Sequence, residues 1–140
     1  MMNSSAKLIF VCSLLLISCV EDVWGRTHVI INNNLPAGTT LTAHCKSKDD
    51  DLGIHYIMSS WEFQFRPSLF GNTLYFCSFA WPNNFHRFDI YVQSRDSDHC
   101  TTCSWKIFPT GPCRFNEKTT QYDVCLPWNP TTKLGRKPLM

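Results

Sequence analysis

The chain has 140 residues, of which 44% are hydrophobic and 17% charged, with a formal net charge of +2. That length fits one domain, and the charge is too small and too dispersed for the clustered basic stripe of a nucleic-acid binder. Eight cysteines in so short a sequence call for an account of their own.

The first element in chain order is a leader. A polar start carrying Lys7 precedes a mostly apolar run from Leu8 to Val20, followed by Glu21-Asp22 and then Val23-Trp24-Gly25. This three-part layout is that of a secretory signal cut after Gly25. The run is shorter than the roughly 20 apolar residues that cross a bilayer. No second such run follows and the end of the chain is polar, so no membrane insertion is expected. The reading is therefore a signal peptide at 1–25, one domain at 26–128 and a flexible, Pro-containing tail at 129–140. The leader removes Cys12 and Cys19 and leaves Cys45, Cys77, Cys100, Cys103, Cys113 and Cys125. An even number in a short exported chain reads as three disulfides, each contributing about 2–4 kcal/mol.

Beyond the leader, period-two alternation predicts about eight strands, at 27–32, 40–47, 57–66, 73–80, 86–94, 102–108, 112–115 and 120–126. In Trp61-Glu62-Phe63-Gln64-Phe65-Arg66 the aromatics hold the odd positions and polar groups the even ones. Leu41, Ala43 and Cys45 alternate with Thr42, His44 and Lys46 in the same way, and Cys103, Trp105 and Ile107 with Ser104 and Lys106. Turn signals separate the runs, among them Leu35-Pro36-Ala37-Gly38, the acidic Asp49-Asp50-Asp51-Leu52-Gly53, Phe70-Gly71-Asn72 and Pro109-Thr110-Gly111-Pro112. With no helical window to cover a single sheet, the expectation is an all-β, disulfide-stabilised antiparallel β-sandwich; a small closed barrel is the alternative.

Candidate chemistry is sparse. No Gly-x-Ser-x-Gly elbow and no Ser/His/Asp set at a recognisable spacing occurs, and pairing accounts for the thiols, so no catalytic residue is assigned. A secreted hydrolase would need two histidines and an acid in one cleft. Cys100-Thr101-Thr102-Cys103 has the inner spacing of a zinc or redox motif, but it opens a strand, and an oxidising compartment favours disulfides. Asp49, Asp50 and Asp51 are hard-cation ligands by type, yet three consecutive acids read as a solvated turn. No metal and no cofactor are expected. Six cysteines allow 15 pairings. One local expectation is a Cys100–Cys113 bridge across the hairpin that turns at Gly111, leaving Cys45, Cys77, Cys103 and Cys125 for two core bridges.

The series His44-Cys45-Lys46-Ser47-Lys48-Asp49-Asp50-Asp51-Leu52-Gly53, Phe63-x-Phe65, and Phe76-Cys77 with Trp81 continues into Cys103-Ser104-Trp105, Gly111-Pro112-Cys113 and Tyr122-Asp123-x-Cys125-x-x-Trp128. In that order these motifs resemble the plant self-incompatibility S1 family. The resemblance implies a secreted plant protein with a β-sandwich fold that is no enzyme. It implies an extracellular signalling ligand acting through a cell-surface receptor, as founding members act on self pollen; the chain itself is expected to be a monomer. A ligand of this kind would bind through loops held by bridged strands. The candidate contacts are Asp49, Asp50 and Asp51 in one loop, and Arg95, Asp96 and Asp98 in the polar stretch Ser94–His99. A secreted defence protein or enzyme inhibitor is the alternative function, with a hydrolase behind it.

Overall fold

A computed structural model describes residues 25–131; the expected signal peptide up to Trp24, and the part of the expected tail from 132 on, lie outside the described residues. Within them are nine strands and one helical turn: β1 (Thr27–Asn33), β2 (Leu41–Lys46), β3 (Asp51–Ile57), β4 (Ser60–Phe65), β5 (Leu74–Trp81), β6 (Asn84–Val92), α1 (Gln93–Asp96), β7 (Thr102–Phe108), β8 (Gly111–Asn116) and β9 (Gln121–Cys125). They form two sheets, of order β4-β1-β7-β8-β9 and β3-β2-β5-β6. The alternating residues read from the sequence face inward. Val29 and Ile31 of β1 and Cys103, Trp105 and Ile107 of β7 meet Leu41, Ala43, Cys45, Phe79, Phe88 and Ile90 of the other sheet in one buried cluster. Aromatic pairs cross between the layers, Phe88 edge-on to Trp105 at 5.1 Å and Phe65 edge-on to Tyr91 at 4.8 Å. The result is a sandwich.

Strand direction alternates strictly along the chain. The connections therefore divide between two poles, β2–β3, β4–β5, β6–β7 and β8–β9 at the first and β1–β2, β3–β4, β5–β6 and β7–β8 at the second. The same alternation makes all odd-numbered strands run one way. Because β1 and β7 are neighbours, their pairing is parallel, with Val29 opposite Cys103 and Ile31 opposite Trp105. Every other pair is antiparallel.

Two expected boundaries change. The strand read at 57–66 begins at Ser60, after a Met58-Ser59 turn, and the acidic turn ahead of it continues into a strand of its own, β3. As an edge strand β3 is solvated on both faces over most of its length, so it carries no alternation to read. β6 stops at Val92, where the chain enters α1.

The disulfides are Cys45–Cys77, Cys100–Cys103 and Cys113–Cys125, so the expected Cys100–Cys113 bridge is wrong. Register explains why. Trp105 pairs with Arg114, which places Arg114 on the inner face and Cys113 on the outer face, opposite Cys125 of β9. Cys100 and Cys103 are both buried inside. Cys45 and Cys77 face each other across β2 and β5 in the core, as a pair of strand cysteines should.

Candidate functional site

The first pole gathers the loops singled out by the sequence. Between β2 and β3, Ser47 makes a tight turn: its hydroxyl accepts the Asp50 amide at 3.0 Å, and its own amide donates to the Asp50 carbonyl at 2.8 Å. That leaves Lys48, Asp49 and Asp50 exposed. Asp51 is exposed too but engaged. Its carboxylate accepts the Gly53 amide at 2.9 Å and His44 Nε2 at 2.7 Å, with Lys46 Nζ at 3.8 Å. The Gly53 amide, then His44, hold its carboxyl below the ordinary carboxylate value.

The β4–β5 connection lies beside it. Gln93 of α1 fastens this loop from both ends of its side chain, donating to the Ser68 carbonyl at 3.0 Å and accepting the Thr73 amide at 3.1 Å. Thr73 Oγ1 accepts the Ser68 amide at 2.7 Å. On this held loop Leu69 is 100% and Phe70 91% exposed. Between the two loops opens a cleft of about 560 Å³ whose lining includes Lys48, Asp49, Asp50, Arg66 and Tyr75. Burial raises the Tyr75 phenol above its ordinary value, so it remains protonated at neutral pH.

The third connection corrects an expectation. Asp96 is not a surface contact: it is 0% exposed. Its carboxylate accepts the Val92 amide at 2.9 Å, Arg95 Nε at 2.9 Å, Arg95 Nη2 at 2.7 Å and the Arg114 guanidinium of β8. Arg95 is occupied as well, lying over the rings of Phe88 and Trp105 at 5.4 and 5.3 Å. A buried carboxylate needs such partners, because an unpaired charge in the interior is costly. Of that stretch's candidates, Asp98 alone is exposed.

The five histidines are dispersed. His28 meets Glu62, His44 meets Asp51, His55 stacks on Trp61, and His86 stacks on Trp128. His99 is exposed on the β6–β7 connection. No two converge on one acid among the described residues, and no group of three His, Cys, Asp or Glu there could hold a metal. The sequence reading missed Leu69 and Phe70. The signal was two large apolar residues in a segment otherwise read as a turn.

The profile of the family described as "Plant self-incompatibility protein S1" matches residues 28–128, from β1 to the tryptophan behind β9. The chain belongs to that family. It is similar to S-protein homolog 2 of Arabidopsis thaliana, 55% identical over 108 residues that cover 72% of this chain and 67% of that protein. S-protein homolog 29 of the same plant is 39% identical over 135 residues, covering 91% of this chain and all of the relative. Among solved structures, a self-incompatibility protein homologue matches with a TM-score of 0.54 at 19% identity, over 76% of this chain and 96% of that one, and so shares the fold. That structure's description is of a widespread family of small, highly stable, secreted proteins from plants. Three disulfides agree with such a life, since bridges form and persist in oxidising compartments.

Proposed function

We propose that this S1-family protein is exported by its N-terminal signal segment and acts outside the cell as a signalling ligand. It presents the first pole to a cell-surface receptor and catalyses no reaction. The observation that carries this reading is the pair Leu69 and Phe70, both exposed on a loop that Gln93 fastens. Exposed large apolar residues on a fixed loop cost little entropy to bind, and they make the centre of a protein contact. The mixed charges of Lys48, Asp49, Asp50 and Arg66 alongside supply a polar rim.

Labelled protein should bind plant cells or a plant membrane extract saturably. A Leu69→Ser/Phe70→Ser variant should keep its melting temperature, because neither side chain packs on anything, and should bind at least about tenfold more weakly. Folded variant protein binding as well as the parent would overturn the reading.

A further inference from the structure

The second pole and the sheet face next to it carry a different kind of site. On the outer face of the four-stranded sheet, Tyr56 of β3, Thr42 of β2, Ala80 of β5 and Phe85 of β6 stand in one row across the strands. The outer members are large and exposed, Tyr56 at 72% and Phe85 at 52%, and the inner two are small. The row is therefore a trough, with aromatic walls three inter-strand steps of about 4.8 Å apart. Toward the second pole it widens into an open cavity of about 510 Å³, flanked by Thr39 and Thr40 of the β1–β2 loop and by Trp81 and Pro82.

Two properties of this cavity define its ligand. No charged side chain lines the cavity itself, the nearest cation being Arg87 over the Phe85 ring at 5.0 Å, so the cavity offers no counter-charge to a phosphate or a carboxylate. Its surface sets the ring of Tyr56 beside the hydroxyls of Thr39, Thr40 and Thr42, while the Trp81 ring packs against His86 and Trp128 and leaves its edge of the strand as the end wall. Those hydroxyls carry no hydrogen bond to another side chain or to backbone among the described residues. A sugar ring has the matching chemistry, C–H groups on its faces and hydroxyls on its rim.

The walls are also built in advance. The Asn33 side chain donates to the Thr39 carbonyl at 2.7 Å and to the Ile57 carbonyl at 3.0 Å, and accepts the Leu35 amide at 2.9 Å. It thereby ties the β1–β2 loop to the end of the strand that bears Tyr56. A preformed site loses little entropy on binding.

We propose that this trough binds the neutral pyranose rings of an extracellular polysaccharide, one ring lying against Tyr56 and its hydroxyls meeting the threonines. The site is at the opposite pole from Leu69 and Phe70, so it and the receptor reading stand or fall separately.

The test is an amide chemical-shift titration of the chain lacking its signal segment, with cellohexaose, xylohexaose and mannohexaose at millimolar concentration, and trigalacturonate as an acidic control. At least one neutral oligosaccharide should shift the amides of residues 38–42, 56, 80 and 81, and the control should shift none of them. Tyr56→Ala should weaken binding about tenfold and Thr42→Val about threefold, at unchanged melting temperature. The Leu69→Ser/Phe70→Ser variant should bind sugar like the parent. Absence of shifts with all three sugars would overturn the proposal. So would shifts confined to other residues, equal binding of the acidic control, or self-association through Tyr56 and Phe85 in its place.

Discussion

Asp96 shows how one buried residue sets the design of its neighbourhood. Its carboxylate joins two guanidinium groups, one from α1 and one from β8, and both cations lie over Trp105. Removing the anion leaves Arg114, only 6% exposed, without its counter-charge. Asp96→Asn keeps the shape and loses the charge, and should cost about 3–5 kcal/mol, read as a lower denaturant midpoint. Asp51 is the contrasting case of an acid at the surface. Its folded carboxyl lies below the ordinary 3.8, through the Gly53 amide and then His44. What it contributes to stability is therefore present above that value and is lost as pH falls through the lower folded one. Carbon-detected titration should place its midpoint under 3.8, and His44→Ala should move that midpoint upward. The sequence could not separate these two aspartates, since each sits in a polar run. The clue was remote: Arg114 occupies an inward position of β8, where alternation calls for an apolar residue and an arginine needs a partner.

At the scale of the elements, β8 depends on a glycine. Gly111 has φ +144°, and a Cβ there would sit 2.8 Å from the Leu126 carbonyl oxygen. The chain behind β9 runs close over β8 at this point, the Leu126 amide donating to the Pro112 carbonyl at 3.0 Å. It then crosses to the other sheet, where the Asn129 amide donates to the Arg87 carbonyl of β6 at 2.8 Å and Trp128 stacks on His86. Gly111→Ala should cost about 1–3 kcal/mol and raise amide exchange at residues 126–129, seen by hydrogen-exchange mass spectrometry. Elements with one wet and one dry face were legible in the sequence, as β1, β2, β4 and β7 show, because burial on a single face imposes the period of two. β3 was not, because an edge strand with Gly53 in it and Ile54 and Tyr56 exposed has no dry face along most of its length. The parallel β1–β7 pair was equally hidden: alternation states which face is buried and is silent on which strand lies alongside.

For the molecule as a whole, the three bridges differ in how much of the unfolded chain they restrain. Cys45–Cys77 spans 32 residues, Cys113–Cys125 spans 12 and Cys100–Cys103 spans 3. Loop-closure entropy then ranks them at about 4, 3 and 2 kcal/mol. Paired Cys→Ala replacements should lower the thermal midpoint in that order, and calorimetry on the three double variants would show whether the ranking holds. The strict alternation of strand direction has a consequence of a different kind. Each pole is fed by four connections that return to the same end, so those that bear no core residue, such as β2–β3 and β4–β5 at the first pole, can be exchanged with a relative's without altering a strand or a core contact. Such a scaffold is a two-socket frame: one end can diversify under selection while the other is conserved, and chimaeras made by swapping one end would transfer its specificity alone.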